Sequence, residues 1–230
     1  SFLNGGKLDY ADKDWIPALN GIWFFQQGNT IAPYSELVVN VHGAIDNTPT
    51  YSNSINYANN AYYCMYDMEA TSSDGGKYNN TRYYPSPADV IATNHYLKAV
   101  KYGKSNAWPM SQTSPAVILF RTEDITPKQF GENPDNIIYP TGNEGNIVYA
   151  CLKMPRRWVI DAMEVYNATA LARCKKRLTP DLDNGYATLT GGYGHSLIRK
   201  VEKTVDGHAI YQDTNNSTND FYEADNCSLR

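Results

Sequence analysis

The last fifty residues contain the pattern that most restricts what this chain can fold into. A Gly-rich stretch at residues 191–194 leads into a short strand-like segment, and Asp206 and Gly207 stand before a second one. An Asp-Gly pair between two such segments is typical of a β-hairpin, because both turn residues must adopt positive φ. An Asx-rich segment follows at residues 213–220. The pattern predicts a hairpin that closes a β-sheet.

Other segments also have the composition of β-strands and are bounded by Gly, Pro, Asn and Ser. The predicted strands are residues 21–26, 37–45, 116–120, 146–154, 158–165 and 186–189. The continuous apolar run at 116–120 predicts a buried central strand. The pair Asn184-Gly185 predicts the turn that leads into the strand at 186–189.

Two short helical turns are predicted among these strands. One covers residues 12–19, and the other begins at Thr126, an N-cap residue followed by Pro127 at the first helical position. With so many strands and so little helix, the chain is predicted to be an all-β sandwich with long loops. No linker or internal repeat divides it, so residues 1–230 are predicted to form a single domain.

The composition agrees with a folded domain and limits its partners. The chain is 42% hydrophobic and 19% charged, which is typical of a globular protein. Its net charge of −4 gives no reason to expect nucleic acid as a partner. Residues 151–203 nevertheless carry ten Lys and Arg against five Asp and Glu. Such a stretch can hold an acidic group, or it can be a solvated face that pairs with acidic loops.

Cysteine spacing and hydropathy exclude several classes of protein. The four cysteines at 64, 151, 174 and 227 form no closely spaced pair, which argues against a zinc site and favours free thiols. No apolar run is long enough to span a bilayer. The chain opens on Ser1 and shows no signal peptide, so we expect a processed product whose export signal has been removed.

Two segments resemble lamin-tail-like β-sandwiches. Residues 24–39 are similar to a strand, a polar turn and the start of the next strand in those domains, although Tyr34 stands where they usually have Gly. Residues 194–199, followed by the Asp206-Gly207 turn, resemble their closing hairpin. The resemblance implies an immunoglobulin-like or lamin-tail-like sandwich.

The chain also resembles, over most of its length, a domain-of-unknown-function family of exported Bacteroides-type surface lipoproteins. Residues 43–46, 154–162 and 177–180 carry this resemblance together with the terminal hairpin. It implies location at the cell surface or outer membrane, or outside the cell, with a lipid anchor outside this chain. It further implies that the earliest strands of the sandwich precede the point where this chain begins. No activity is transferred by the resemblance.

The residues that suggest catalysis have structural explanations. His195 and Ser196 are adjacent on a predicted strand, so their side chains point to opposite faces and do not pair as base and nucleophile. No motif pairs a cysteine with a histidine. Asp161 and Glu164 are examples of carboxylates that a glycoside hydrolase would need, but nothing in the sequence selects them. We therefore predict no catalytic residues and a protein that is not an enzyme.

Two Asx-rich segments leave calcium open as a ligand, although no cofactor is expected. Asp181, Asp183 and Asn184 place oxygens close together, and residues 213, 215, 217 and 219 alternate in the same way. Asn and Asp that hydrogen-bond their own backbone in turns explain both segments equally well.

Binding is the remaining class of function. The chain has 19 Tyr, whose flat amphipathic rings suit carbohydrate stacking or protein contact. The predicted recognition surface consists of Tyr57, Tyr62, Tyr63, Tyr66, Tyr83, Tyr84, Lys175, Lys176 and Arg177. We expect a non-catalytic surface module that binds a glycan or another envelope protein. The alternatives are a glycan-directed hydrolase with unidentified paired carboxylates and a purely structural spacer.

Overall fold

The structure is a computed structural model of the chain. It describes residues 3–229 except 5–6, 42–44, 53, 68, 70–90, 103–109, 112, 191–193 and 228. Most elements of this part of the chain are strands in several small sheets, with few short helices, which confirms the all-β class. The chain divides into two compact units: unit 1 comprises residues 1–49, 56–109 and 122–158, and unit 2 comprises residues 50–55, 110–121 and 159–230.

The elements of unit 1 come largely from the first half of the chain. Its strands and helix are β1 (Leu3–Asn4), β2 (Lys7–Leu8), β3 (Trp15–Leu19), β4 (Gly21–Phe24), β5 (Val39–Asn40), β6 (Tyr63–Cys64), β7 (Lys98–Lys101), α1 (Pro127–Glu132), β9 (Ile137–Ile138) and β10 (Cys151–Pro155). Its 3-10 helices are Thr93–His95, Pro134–Asn136, Ile147–Tyr149 and Arg156–Trp158.

The elements of unit 2 come mainly from the last third of the chain. They are β8 (Ala116–Phe120), β11 (Val159–Asn167), the 3-10 helix Ala168–Arg173, β12 (Ala187–Leu189), β13 (Ser196–Arg199), β14 (Val201–Val205), β15 (His208–Tyr211), α2 (Ser217–Asp220) and β16 (Phe221–Ala224). Within the described residues, no helix is long and apolar enough to cross a membrane.

Unit 1 is organised around β10, which lies between β3 and β9 in an antiparallel sheet. Ile16, Leu152 and Met154 are fully buried in this sheet. The ring of Phe130 on α1 meets that of Trp158 edge to face, with the centroids 4.6 Å apart. Two further strand pairs belong to the same unit, namely the antiparallel pair β4–β7 and the parallel pair β5–β6. The core of this sheet is therefore built from apolar side chains of β3 and β10, and the Phe130 ring packs on Trp158, which follows β10.

Three predictions for unit 1 have different outcomes. The capped helix at Thr126 is confirmed, because the Thr126 hydroxyl accepts from the Gln129 N–H in a capping box. The helical turn at 12–19 is wrong, because Trp15–Leu19 form β3 and pair along their whole length with β10. The predicted strand at 146–154 begins only at Cys151, since residues 147–149 form a 3-10 turn.

Unit 2 contains a mixed three-stranded sheet in the order β12-β11-β8. Strand β11 pairs in parallel with β12 and antiparallel with β8. The predicted strands at 158–165 and 186–189 are confirmed as β11 and β12. Strand β8 is confirmed as a strand, but it lies at the edge of this sheet rather than at its centre. Val117 and Leu119 are consequently 45% and 53% exposed, so the prediction of a buried central strand is wrong.

The predicted turn at Asp206-Gly207 is confirmed in unit 2, but the prediction that its hairpin closes a sheet is wrong, because β14 and β15 form a separate two-stranded sheet. Strands β14 and β15 pair antiparallel, and Asp206 and Gly207 connect them with φ of 50° and 79°. Positive φ at both central residues is the conformation of a type I′ turn, whose twist matches that of the flanking strands. Strand β13, which precedes the hairpin, pairs instead with β16 at the end of the chain.

Tyr34 has a φ of 60°, in the left-handed region that favours glycine. Its resemblance to a glycine position of lamin-tail-like domains stays a prediction. The sandwich type itself stays a prediction, as does the single-domain organisation of residues 1–230.

Candidate functional site

A polar cleft lies in unit 2 between two segments that are distant in sequence. Its volume is about 440 Å³, within the range of roughly 300–1,000 Å³ that is usual for small-molecule sites. The first wall is the segment 184–188, and the second wall consists of residues 216, 218 and 219 around the start of α2. The lining residues are Asn184, Gly185, Tyr186, Ala187, Thr188, Asn216, Thr218 and Asn219.

The first wall, a bend at residues 184–185 that leads into β12, presents alternate residues to solvent. Asp183, Gly185 and Ala187 are buried, whereas Asn184, Tyr186 and Thr188 are exposed. This period of two is that of a β-strand, and the segment leads directly into β12. The buried set anchors the wall to unit 2, and the exposed set provides an aromatic ring between an amide and a hydroxyl.

The ring of Tyr186 is supported from behind by Tyr166 on β11. The two rings are nearly parallel, with an interplanar angle of 8° and centroids 4.0 Å apart. Tyr166 is buried, and burial raises the pKa of its phenol to about 12. Tyr186 remains 38% exposed. Because Tyr166 covers one face, the exposed surface of Tyr186 is its other face and its edge.

Hydrogen bonds hold the second wall against the first. The Thr218 hydroxyl accepts from the Tyr186 N–H at 3.1 Å and donates to the Tyr186 carbonyl at 2.8 Å. The Asn184 N–H donates to the Asn215 carbonyl at 2.7 Å. Asn216 is the N-cap of α2, and its side chain accepts from the Thr218 N–H at 3.1 Å. Tyr186 is therefore fixed through its backbone by Thr218 as well as through its ring by Tyr166.

A buried carboxylate, Asp183, joins both walls to β11. It accepts from the N–H groups of Glu164, Gly185 and Ser217 at 2.8, 3.0 and 2.8 Å, and from the Ser217 hydroxyl at 2.7 Å. Four donors compensate a charge that is fully removed from water. The role of Asp183 in this structure is therefore to hold the two walls in register.

A second buried carboxylate, Asp220, organises the loop before α2. Burial alone would raise its pKa, but hydrogen bonds from Thr214, Asn216 and Gln212 outweigh burial and lower the pKa. Among the predicted calcium ligands, Asp183 and Ser217 are hydrogen-bonded to each other, whereas the side chains of Asn184 and Asn219 form no hydrogen bond within the described residues. The described residues contain no group of three or more His, Cys, Asp or Glu side chains placed to hold a metal ion. Calcium binding stays a prediction.

Glu164 lies beneath the first wall and is fully buried. Its carboxylate accepts from the Lys176 ammonium and from the N–H groups of Arg177 and Leu178 at 2.5 and 3.2 Å. Burial raises the pKa of Glu164, and these donors oppose the rise. Asp161 instead forms a two-pronged ion pair with Arg199 at 2.7 and 3.1 Å. The two carboxylates considered for hydrolysis are each held by a different cation.

Of the predicted recognition tyrosines, Tyr57, Tyr62, Tyr63 and Tyr66 belong to unit 1. Tyr57 and Tyr62 are half-buried and contact each other, with ring centroids 6.3 Å apart. Tyr63 and Tyr66 are only 8% and 4% exposed. The prediction of an exposed ring surface is therefore wrong for these two residues, which pack against other rings of the unit. Tyr83 and Tyr84 lie outside the described residues.

The predicted basic residues are partly committed to internal contacts. Lys175 is exposed. The Lys176 ammonium contacts Glu164 and donates to the Gly185 carbonyl at 2.6 Å. The Arg177 side chain is exposed overall but donates through Nε to the Ser114 carbonyl at 3.0 Å. These three residues therefore do not form one free cationic patch.

His195 and Ser196 occupy structural positions near the end of unit 2. The Ser196 hydroxyl donates to the Asn226 carbonyl at 2.6 Å. Nδ1 of His195 lies 2.8 Å from Oε1 of Glu223, close enough for an ion pair when the imidazole is protonated, although the geometry is not that of a hydrogen bond. The hydroxyl and the imidazole thus contact different groups, in keeping with the strand interpretation of Ser196.

All four cysteines are free thiols in the structure. Cys64 and Cys151 are fully buried, and burial raises the pKa of both to about 12. Cys174 is buried, and its thiol donates to the Thr113 carbonyl at 3.1 Å. Three of the thiols are therefore shielded from solvent.

The sequence predicts the two segments of this cleft as turns but does not predict that they meet. The Asn184-Gly185 pair and the Asx-rich segment are both turn signals. Their proximity depends on the parallel pairing of β11 with β12, which has no local sequence signature. Residue types from Asp183 to Thr188 do not indicate the cleft either, because the polar Asp183 is buried and the aromatic Tyr186 is exposed.

The fold and the cleft define an all-β protein with an aromatic, uncharged surface site. The chain belongs to the family described as protein of unknown function (DUF4876), whose model matches residues 32–228. A DUF4876 family protein from Bacteroides thetaiotaomicron VPI-5482 has a similar fold, with a TM-score of 0.65 and 20% sequence identity. The similarity covers 92% of this chain and 55% of that one, so this chain spans little more than half of its relative. No curated protein matches the chain significantly.

Proposed function

We propose that unit 2 is a non-catalytic carbohydrate-binding module and that the cleft beside Tyr186 is its binding site. The observation that carries the proposal is the stack of Tyr186 on buried Tyr166. Sugar rings have an apolar face of C–H groups and an edge of hydroxyls, so they suit a flat aromatic surface bordered by hydrogen-bonding groups. Asn184 and Thr188 provide such groups on either side of the ring.

The polar side chains of the cleft are available to a ligand. Within the described residues, the side chains of Asn184, Thr188 and Asn219 form no hydrogen bond with another group of the protein. An amide offers two donors and an acceptor, and a hydroxyl offers a donor and two lone pairs. Neighbouring hydroxyls of a sugar, which both donate and accept, match this set.

The rigidity of the cleft supports binding without a large conformational cost. Tyr186 is held by the ring of Tyr166 and by both hydrogen bonds of Thr218. A binding surface that is already ordered loses little conformational entropy when the ligand arrives. The cleft lining contains no carboxylate, and this composition suits a binding module better than a hydrolase.

We further propose that the module is exported, carried at the cell surface by a lipid anchor outside this chain, and built as an immunoglobulin-like or lamin-tail-like sandwich. The resemblance of residues 43–46, 154–162 and 177–180 to surface lipoproteins supports this part of the proposal. Membership of DUF4876 and the Bacteroides relative support the family resemblance from which this part of the proposal is taken.

A glycan array probed with the labelled chain tests the proposal, followed by calorimetric titration of any oligosaccharide that binds. Tyr186→Ala should weaken binding at least about tenfold, or about 1.4 kcal/mol, because it removes the stacking surface. Tyr34→Ala is the matched control, since this tyrosine is 70% exposed but lies in unit 1. Equal losses in both variants, or no loss in Tyr186→Ala, would reject the cleft. Release of reducing sugar from a bound oligosaccharide would favour a hydrolase instead.

A further inference from the structure

We infer that the cleft selects uncharged pyranose sugars and excludes acidic or sulfated ones, an inference that rests on the proposed carbohydrate function. The first support for this selectivity is the chemistry of the cleft lining. Asn184, Asn216 and Asn219 supply amides, and Thr188 and Thr218 supply hydroxyls. No lining residue carries a charge at neutral pH, so nothing in the lining can neutralise a carboxylate or a sulfate.

The nearest cations are directed into the walls rather than into the cleft. The Lys176 ammonium contacts Glu164 and donates to the Gly185 carbonyl at 2.6 Å. The Lys200 ammonium donates to the Asn219 carbonyl at 2.5 Å. Each lysine therefore binds a backbone carbonyl of one wall. Each ammonium therefore directs at least one of its three N–H donors into a wall and away from the cleft.

The buried charges beneath the cleft also disfavour an anion. Asp183 lies under the junction of the two walls and Asp220 lies at the end of α2, and both carboxylates are almost fully buried. Glu164 adds a third carboxylate, paired with Lys176. Carboxylates thus outnumber amines around the site. This excess of negative charge beneath the cleft repels an acidic sugar.

This inference differs from the expectation that the basic stretch at 151–203 holds an acidic group. Lys175 is exposed but does not line the cleft, and Lys176 is committed to Glu164 and Gly185. Lys176 and Arg177 of this basic stretch are therefore used in contacts within unit 2. The chemistry left at the surface of the cleft is aromatic and amide, which recognises ring faces and hydroxyls.

Two matched sets of oligosaccharides test the selectivity. One set contains neutral hexose and N-acetylhexosamine oligomers, and the other contains uronate and sulfated oligomers of similar length. Binding is measured by calorimetry from about 0.05 to 0.5 M NaCl, a range over which screening removes most interactions between exposed charges. We expect the neutral set alone to contain binders, with a dissociation constant that changes less than about twofold across this range. We also expect Lys175→Gln to bind like the unaltered chain.

The outcomes separate this inference from the proposed function. Preferential binding of the acidic set, with steep salt dependence and a loss in Lys175→Gln, would overturn the selectivity. If that binding still depended on Tyr186, the carbohydrate function would stand. Absence of binding to both sets would overturn the function and the selectivity together.

Discussion

Asp183→Asn is the substitution that most severely tests how the cleft is held together. The aspartate accepts four hydrogen bonds with two oxygens: Oδ1 from the N–H groups of Gly185 and Ser217, and Oδ2 from the Glu164 N–H and the Ser217 hydroxyl. Asparagine has nearly the same shape but only one side-chain oxygen. Its NH₂ group must therefore face either two backbone N–H groups or one N–H and the hydroxyl.

The better orientation keeps the asparagine oxygen toward the N–H groups of Gly185 and Ser217. The free-energy cost then depends on the two donors that face the NH₂ group, which are the Glu164 N–H and the Ser217 hydroxyl. The Ser217 hydroxyl can rotate to accept from the new NH₂ group, but the Glu164 N–H cannot. An unsatisfied buried N–H costs about 1–3 kcal/mol, and each of the two retained bonds loses about 1 kcal/mol on changing from a charged to a neutral acceptor. The free energy of unfolding should therefore fall by about 3–5 kcal/mol, a large part of the roughly 5–15 kcal/mol typical of a domain.

Urea unfolding measures this loss, and amide hydrogen exchange locates it. With a slope of about 2–3 kcal/mol per molar urea, the midpoint should fall by roughly 1–2 M. Exchange should accelerate most at the amides of Glu164, Gly185 and Ser217. Asp225→Asn is the control, because its side chain is fully exposed and its substitution should cost less than about 0.5 kcal/mol. A cost below about 1 kcal/mol for Asp183→Asn would refute the reasoning that this carboxylate joins the walls.

Three further predictions concern the cleft, the α2 loop and the thiols. Gly185→Ala should cost about 1–3 kcal/mol and weaken sugar binding, because the added Cβ would lie 2.1 Å from Oδ1 of Asn216; unchanged urea and calorimetric titrations would contradict this. The lowered pKa of Asp220 contributes stability above the ordinary value of 3.8 that is lost as the pH falls below it; acid titration followed by circular dichroism should show a smaller loss in Asp220→Asn. At about pH 8 a thiol reagent should label Cys227, which is half-buried, far faster than the buried Cys64; equal rates in peptide mapping would contradict the burial.

Local signals in the sequence were sufficient for elements that depend on local chemistry. The capping box at Thr126 and the positive φ of Asp206 and Gly207 are properties of a few adjacent residues, so their patterns predicted the structure correctly. The prediction of a helical turn at 12–19 was wrong because local helix propensity competes there with strand pairing to β10, which lies more than a hundred residues away in the sequence. Long-range pairing overrides weak local preference.

The site was harder to predict for the same physical reason. Tyr166 and Tyr186 stack because β11 and β12 pair in parallel, and parallel strands carry no turn signal between them. Composition drew attention instead to Tyr63 and Tyr66, which are buried. Tyrosine content indicated the type of chemistry, but burial decided which rings are available to a ligand.

The most direct test of the central claim is an NMR titration of the ¹⁵N-labelled chain with a neutral oligosaccharide. We expect the amide shift changes to concentrate in residues 184–188 and 216–219, the two walls of the cleft, and we expect Tyr186→Ala to abolish them. Changes centred on Tyr57 and Tyr62 in unit 1, with the cleft amides unaffected, would contradict the claim.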